Sequence, residues 1–190
     1  MKIYLHLNIH GFSNTYIVTN KETMQAIIID PGNITNDMIQ QIERGPYKLV
    51  AALITHNHTS HVQGLTTLRK IYNPKIYAAD YEVAKSDTIV IKGDGVRKIA
   101  GFSVGYMSVP GHSPDSMVFK IGRVMFTGDT LIAGNCGSTN NNYAKKTLLT
   151  NIRLKLLSQH DNVEVMPGHG PPTTIGVEKQ FNIEINNNKY

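Results

Sequence analysis

Cys136 is the only cysteine in the chain. One thiol excludes an internal disulfide framework and any cysteine-rich zinc site. A metal held here must rest on imidazole nitrogen and carboxylate oxygen. No apolar run approaches the length of a membrane span. The opening Met1-Lys2-Ile3-Tyr4-Leu5-His6-Leu7 lacks the long apolar segment and small-residue cleavage site of a secretory signal, so a cytoplasmic location is expected. Basic residues outnumber acidic ones by 19 to 14, but Lys70, Lys75, Lys92, Lys98 and the others are scattered. That scatter argues against a nucleic-acid surface and a membrane surface. It fits a solvated exterior, or general attraction of an anionic small molecule. Internal repeats and linkers are absent too, and nothing in the sequence speaks to oligomeric state.

What remains is an ordinary globular composition, with 41% hydrophobic and 17% charged residues in 190. It suits a single domain over residues 1–190. Strand-like runs are expected at Ile3–Leu7, Thr15–Thr19, Ala26–Ile29, Leu49–Ile54 and Ile76–Ala78. A second dense group follows at Val96–Ile99, Phe102–Val109, Met117–Ile121, Val124–Phe126 and Val163–Met166. Helical spacing marks Ile34–Ile42, the stripe Val62, Leu65, Leu68 and Tyr72, then Tyr143–Leu157 and Gly176–Phe181. The asparagine-rich end, from about residue 183 to 190, is expected to fray. Two strand groups, each followed by helix, predict an α/β chain folded as a four-layer αββα sandwich.

Against this background, three imidazoles crowd into six residues, His56-x-His58-x-x-His61, directly after an apolar run. Neutral imidazole is the commonest protein ligand for transition metals. His112, Asp129 and His169 each occupy a glycine-containing turn after another apolar run. Convergent donors at strand ends offer a cation a rigid support. His6, His10 and His160 stand alone and read as structural or surface residues. Cys136 reads as a buried thiol, and Asp115 as a turn residue rather than a ligand.

Thr-His-x-His-x-x-His, Pro-Gly-His-Ser, Phe-Thr-Gly-Asp-Thr-Leu and Pro-Gly-His-Gly-Pro appear in that order between about Asp30 and Phe181. The set resembles the metallo-β-lactamase superfamily, and within it the compact hydrolases related to glyoxalase II. The resemblance implies that His56, His58 and His112 bind a first metal ion, that His61 and His169 bind a second, and that Asp129 bridges them. It assigns Asp30 to bracing the histidine loop. Zinc is the usual metal, with iron or manganese in some branches. The implied activity is a metal-dependent hydrolase using metal-activated hydroxide on a thioester or another activated acyl compound, a small molecule that is anionic or thiol-linked. Only about twenty residues follow His169, so thiol recognition is expected from loops. β-Lactam hydrolysis is the lesser expectation.

Ser60 departs from the pattern, which normally has an aspartate ligand to the second metal at this place. A missing unit charge about 4 Å from a cation is worth on the order of 4 kcal/mol at an effective dielectric of 20. That corresponds to roughly three decades of affinity. The expected outcome is one firmly bound zinc and a second that is weak or absent. Ser60-x-x-Gln63 also matches a capping box for the following helix. Two alternatives follow from the departure: a mononuclear iron enzyme acting like the persulfide dioxygenases, and a degenerate member that binds metal without turnover.

Overall fold

The computed structural model describes residues 1–9 and 11–187. His10, read above as a surface histidine, lies outside the described residues, as do 188–190 of the tail. The first sheet contains β1 (Lys2–Leu7), β2 (Asn14–Asn20), β3 (Gln25–Ile29), β4 (Lys48–Leu53), β5 (Lys75–Ala78) and β6 (Thr88–Val90), in that spatial order. The second contains β7 (Gly95–Ile99), β8 (Phe102–Ser108), β9 (Met117–Ile121), β10 (Val124–Gly128), β13 (Glu164–Pro167) and β14 (Thr173–Thr174), ordered β14-β13-β10-β9-β8-β7. Between β10 and β13 a small hairpin forms from β11 (Leu131–Ile132) and β12 (Asn135–Cys136).

The strands alternate between two apolar layers rather than between core and water. Val18, Ile27, Leu53, Phe119 and Phe126 point between the sheets. Their chain neighbours Ile17 and Ile28 pack outward beneath α1 (Asn36–Arg44), α2 (Thr59–Val62) and α3 (Leu65–Ile71), together with Met38, Ile42 and Leu68. On the other side Val118 and Met125 pack against Leu148, Ile152 and Ile175 of α4 (Asn142–Asn151), the π-helical turn Ile152–Leu156 and α5 (Ile175–Phe181). Period-two alternation with both faces buried explains why these strands read as continuous apolar runs. The result is the expected αββα sandwich.

Strand direction places the site. β3 and β4 are parallel neighbours, as are β10 and β13, and β8 runs the same way as β10 because β9 opposes both. The carboxyl ends of β3, β4, β8, β10 and β13 are followed by Asp30, His56–His61, His112, Asp129 and His169 respectively. Parallel strands thus deliver all these residues to ends of like direction.

Several details differ from the sequence reading. β6, β11, β12 and β14 span two or three residues each, too short for a period to register. The stripe from Val62 to Tyr72 is two helices, broken at Gly64, whose amide donates to the Pro31 carbonyl at 2.9 Å. The helix over Tyr143–Leu157 passes into a π-helical turn at Ile152. The end does not fray from residue 183: α6 (Ile183–Asn187) forms there, with Ile185 buried in the second outer layer.

Phe126 is fully buried and meets the Tyr16 ring edge-on, with centroids 5.3 Å apart. Phe126→Ala is expected to lower the unfolding free energy by about 3–5 kcal/mol, measured by urea denaturation.

Candidate metal centre

Asp30 follows β3 with a left-handed backbone, φ 49°, a conformation that aspartate tolerates better than most residues. Its carboxylate is buried and accepts three hydrogen bonds. The Thr55 amide donates to Oδ1 at 2.8 Å, the Thr55 hydroxyl to Oδ2 at 2.6 Å, and His61 Nδ1 to Oδ2 at 3.0 Å. The Thr55 hydroxyl has a single proton, and Asp30 takes it. Its oxygen must therefore accept from His56 Nδ1, which lies 3.0 Å away. Asp30 thus sets the tautomers of two histidines, directly for His61 and through Thr55 for His56. His112 is fixed similarly, with Nδ1 donating to the Ser138 carbonyl at 2.8 Å. The Nε2 atoms of all three face inward.

Two groups result. His56, His58, His112 and Asp129 each present a donor atom, all within 4.8 Å of one another, and so do His61, Asp129 and His169. In the first, His58 Nδ1 lies 3.0 Å from His56 Nε2 and 3.1 Å from His112 Nε2. Asp129 divides its oxygens between the groups. Oδ2 lies 3.8 Å from His56 Nε2 and 3.7 Å from His112 Nε2, while Oδ1 lies 3.5 Å from His61 Nε2 and 2.7 Å from His169 Nδ1. That is the geometry of a bridging carboxylate.

The residues fit a divalent ion. Among the described residues the buried His61 Nε2 has no hydrogen-bond partner, an expensive condition that a bound cation would relieve. In the first group His58 Nδ1 stands at hydrogen-bond distance from the lone pairs of His56 Nε2 and His112 Nε2, where a bound ion would take the place of the shared proton. Ligands about 2.0–2.1 Å from a tetrahedral ion stand about 3.3 Å apart, inside the range seen among these atoms. For His56 the electrostatics agree. Burial and the neighbouring imidazoles, His61 foremost, pull the pKa of His56 down to about 2, keeping its nitrogen free. Burial opposes a charge on His61, but Asp30 and Asp129 together raise its pKa to about 10, so at neutral pH Nε2 carries a proton that an ion binding there would displace. Burial likewise opposes charge on Asp129, but the hydrogen bond from His169 and the nearby His61 hold it well below the ordinary carboxylate range.

A family model described as the metallo-beta-lactamase superfamily matches residues 9–169. The chain belongs to that superfamily. It is 31% identical to a probable metallo-hydrolase from Streptococcus pyogenes serotype M6, over 96% of this chain and 89% of the relative. It is also 31% identical to the hydroxyacylglutathione hydrolase GloC of Haemophilus influenzae, over 85% of this chain and 87% of the relative. Among solved structures, TTHA1623 in a di-iron-bound form superimposes with a TM-score of 0.80 at 26% identity, covering 95% of this chain and 98% of that one.

Within this superfamily chain, the six residues singled out as ligands all fall in the two groups. His6 lies on β1 and His160 is exposed beyond the π-helical turn, and neither joins a group. Ser60 does not form the expected capping box: it is the second residue of α2, whose N-cap position is His58 with no side-chain cap bond. Its backbone carbonyl accepts from Ser13 Oγ at 2.6 Å, and a Cβ added at Gly11 would come within 3.1 Å of the Ser60 Cβ. Asp115 lies in a turn and in neither group, without a left-handed backbone; its carboxylate accepts from the Asn57 amide at 2.7 Å and so holds the loop between His56 and His58.

Cys136 is buried in the outer core of the second sheet. The sequence reading passed over Gly137 and Ser138. A Cβ on Gly137 would lie 2.1 Å from the Asp129 carbonyl and 2.8 Å from His112 Nδ1, so only glycine lets the chain pass there. Gly168 has the same task, as a Cβ there would lie 2.4 Å from Asp129 Oδ1. Gly11 was missed too; its carbonyl lies 3.1 Å from His169 Nε2, which turns Nδ1 toward Asp129.

Two outcomes follow. Asp30→Asn keeps a residue that tolerates the left-handed backbone but replaces an acceptor by a donor. Zinc affinity, measured by competition with a chromophoric chelator, is expected to fall about 10–100-fold while the circular dichroism spectrum is retained. Burial pushes the Cys136 thiol up to about 12, so it stays protonated at pH 8. Ellman's reagent is expected to label it in urea and leave it untouched in the native protein.

Proposed function

We propose that the protein is a metal-dependent hydrolase of hydroxyacyl thioesters. The observation that carries this reading is the convergence of inward-facing imidazole nitrogens on Asp129, with His61 Nε2 buried and unpartnered beside it. His56, His58, His112 and Asp129 would hold a first ion, and His61 and His169, with Asp129, would hold a second more weakly. A bound divalent ion supplies a Lewis acid and an activated water at neutral pH. The chain does the rest. Asp30, Thr55 and Ser138 hold the imidazoles in the ligating tautomer, and Asp115 holds the loop that carries His58. A cavity of about 280 Å³ bordered by His112, Pro110, Pro114, Asn141 and Tyr143 adjoins the first group and suits a small acyl or thiol substituent. The net charge of +5 favours an anionic substrate. The choice of a hydroxyacyl thioester rests on the likeness to the Haemophilus influenzae hydroxyacylglutathione hydrolase.

Zinc-loaded protein incubated with a hydroxyacylglutathione is expected to release free thiol. His56→Ala or His112→Ala is expected to reduce that rate at least 1,000-fold, on the order of the loss from removing a central catalytic group, with the fold intact. Oxygen consumption with a persulfide in place of thiol release would convert the reading to an iron oxygenase, and no turnover of any acyl substrate would reduce it to metal binding.

Ser60 is read as the reason for the weak second position. Elemental analysis of protein purified without chelators is expected to give about one ion per chain, rising toward two in Ser60→Asp, as the restored charge requires. Unchanged stoichiometry in that variant would remove Ser60 from the account.

A further inference from the structure

Glu178 is fully buried in α5, in the apolar layer outside the second sheet and away from the histidines. Burying a carboxylate in such a layer is costly unless donors satisfy it. Here three neutral donors do. The Gly134 amide lies 3.2 and 3.1 Å from the two oxygens, the Thr173 hydroxyl donates to Oε1 at 2.8 Å, and the Asn182 amide to Oε2 at 2.6 Å. Thr173 and Asn182 are near it in sequence. Gly134 is not: it belongs to the turn Ala133–Gly134 at the tip of the β11–β12 hairpin.

Both feet of that hairpin stand in the metal centre. Asp129 lies two residues before β11, and Gly137 and Ser138 directly follow β12. Ser138 supplies the carbonyl that fixes the His112 tautomer, and Gly137 passes close beneath the His112 ring. The hairpin is short, with only the pairs Leu131–Cys136 and Ile132–Asn135, so its own ladder does little to hold it in place. The C-terminal helices grip its tip in three ways. Glu178 binds the Gly134 amide, the Ile183 amide donates to the Gly134 carbonyl at 3.2 Å, and Asn182 Nδ2 donates to the Asn135 carbonyl at 2.9 Å. Asn182 is also fully buried.

We propose that Glu178 is a positioning residue for His112, acting through the β11–β12 hairpin. It anchors the hairpin tip so that the Ser138 carbonyl stays under His112 Nδ1 and Nε2 stays turned inward. The geometry stands without any metal; only the affinity readout below rests on His112 being a ligand.

The test is Glu178→Gln, which replaces one acceptor oxygen by a donor facing the Asn182 or Gly134 N–H. In metal-free protein with ¹⁵N-labelled histidine, His112 (assigned through His112→Gln) is expected to lose the signature of a single tautomer protonated at Nδ1. Zinc affinity for the first equivalent is expected to fall about tenfold. Leu156→Ala, a truncation in the same apolar layer, is the control: it lowers thermal stability and should leave the His112 signals unchanged. If Glu178→Gln does not fold, Gly134→Ala strains the same contact from the hairpin side, where φ is +76°, and should give the same His112 change. An unaltered His112 tautomer in these variants, or an equal change in Leu156→Ala, overturns the proposal. A changed tautomer with unchanged zinc affinity supports the positioning role and removes His112 from the ligands.

Discussion

The centre depends on one buried acceptor. Asp30 accepts a hydrogen bond from His61 and, through the Thr55 hydroxyl, settles where the proton of His56 lies. Those two bonds turn both Nε2 atoms toward Asp129. An imidazole that binds a cation must present a lone pair at a fixed angle, and the opposite nitrogen is where a protein can enforce this. Asp30 therefore acts on both metal groups without belonging to either. Its left-handed backbone turns the chain directly after β3.

How much of this could be read from the sequence follows from distance along the chain. The strands of the middle layer were legible because each is a run of apolar residues bounded by turns. Phe119 and Phe126 could be placed in a core from their runs alone. The six donor residues were legible because chemistry as specific as His56-x-His58-x-x-His61 survives without coordinates. Helix boundaries were less so, since the break at Gly64 is set by a carbonyl from Pro31, more than thirty residues earlier.

What the sequence hid was support made by backbone atoms. Ser138 and Gly11 act through carbonyls, which every residue has, so no side-chain pattern marks them. Gly137 acts by lacking a Cβ, one of sixteen glycines being much like another until its neighbours are known. Ser60 misled in a different way. The capping pattern it begins is genuine as a local preference, but α2 starts at Thr59, with His58 at its N-cap position.

The two sheets share the donors. His56, His58 and His61 follow a strand of the first sheet, whereas His112, Asp129 and His169 follow strands of the second. Neither sheet alone supplies a whole group, so a complete site exists only where the two meet. An ion held there works as a rivet between them. At a concentration one hundred times its dissociation constant it would add about 2.7 kcal/mol against their separation. Metal supply would then bear on the endurance of this molecule as well as on its chemistry.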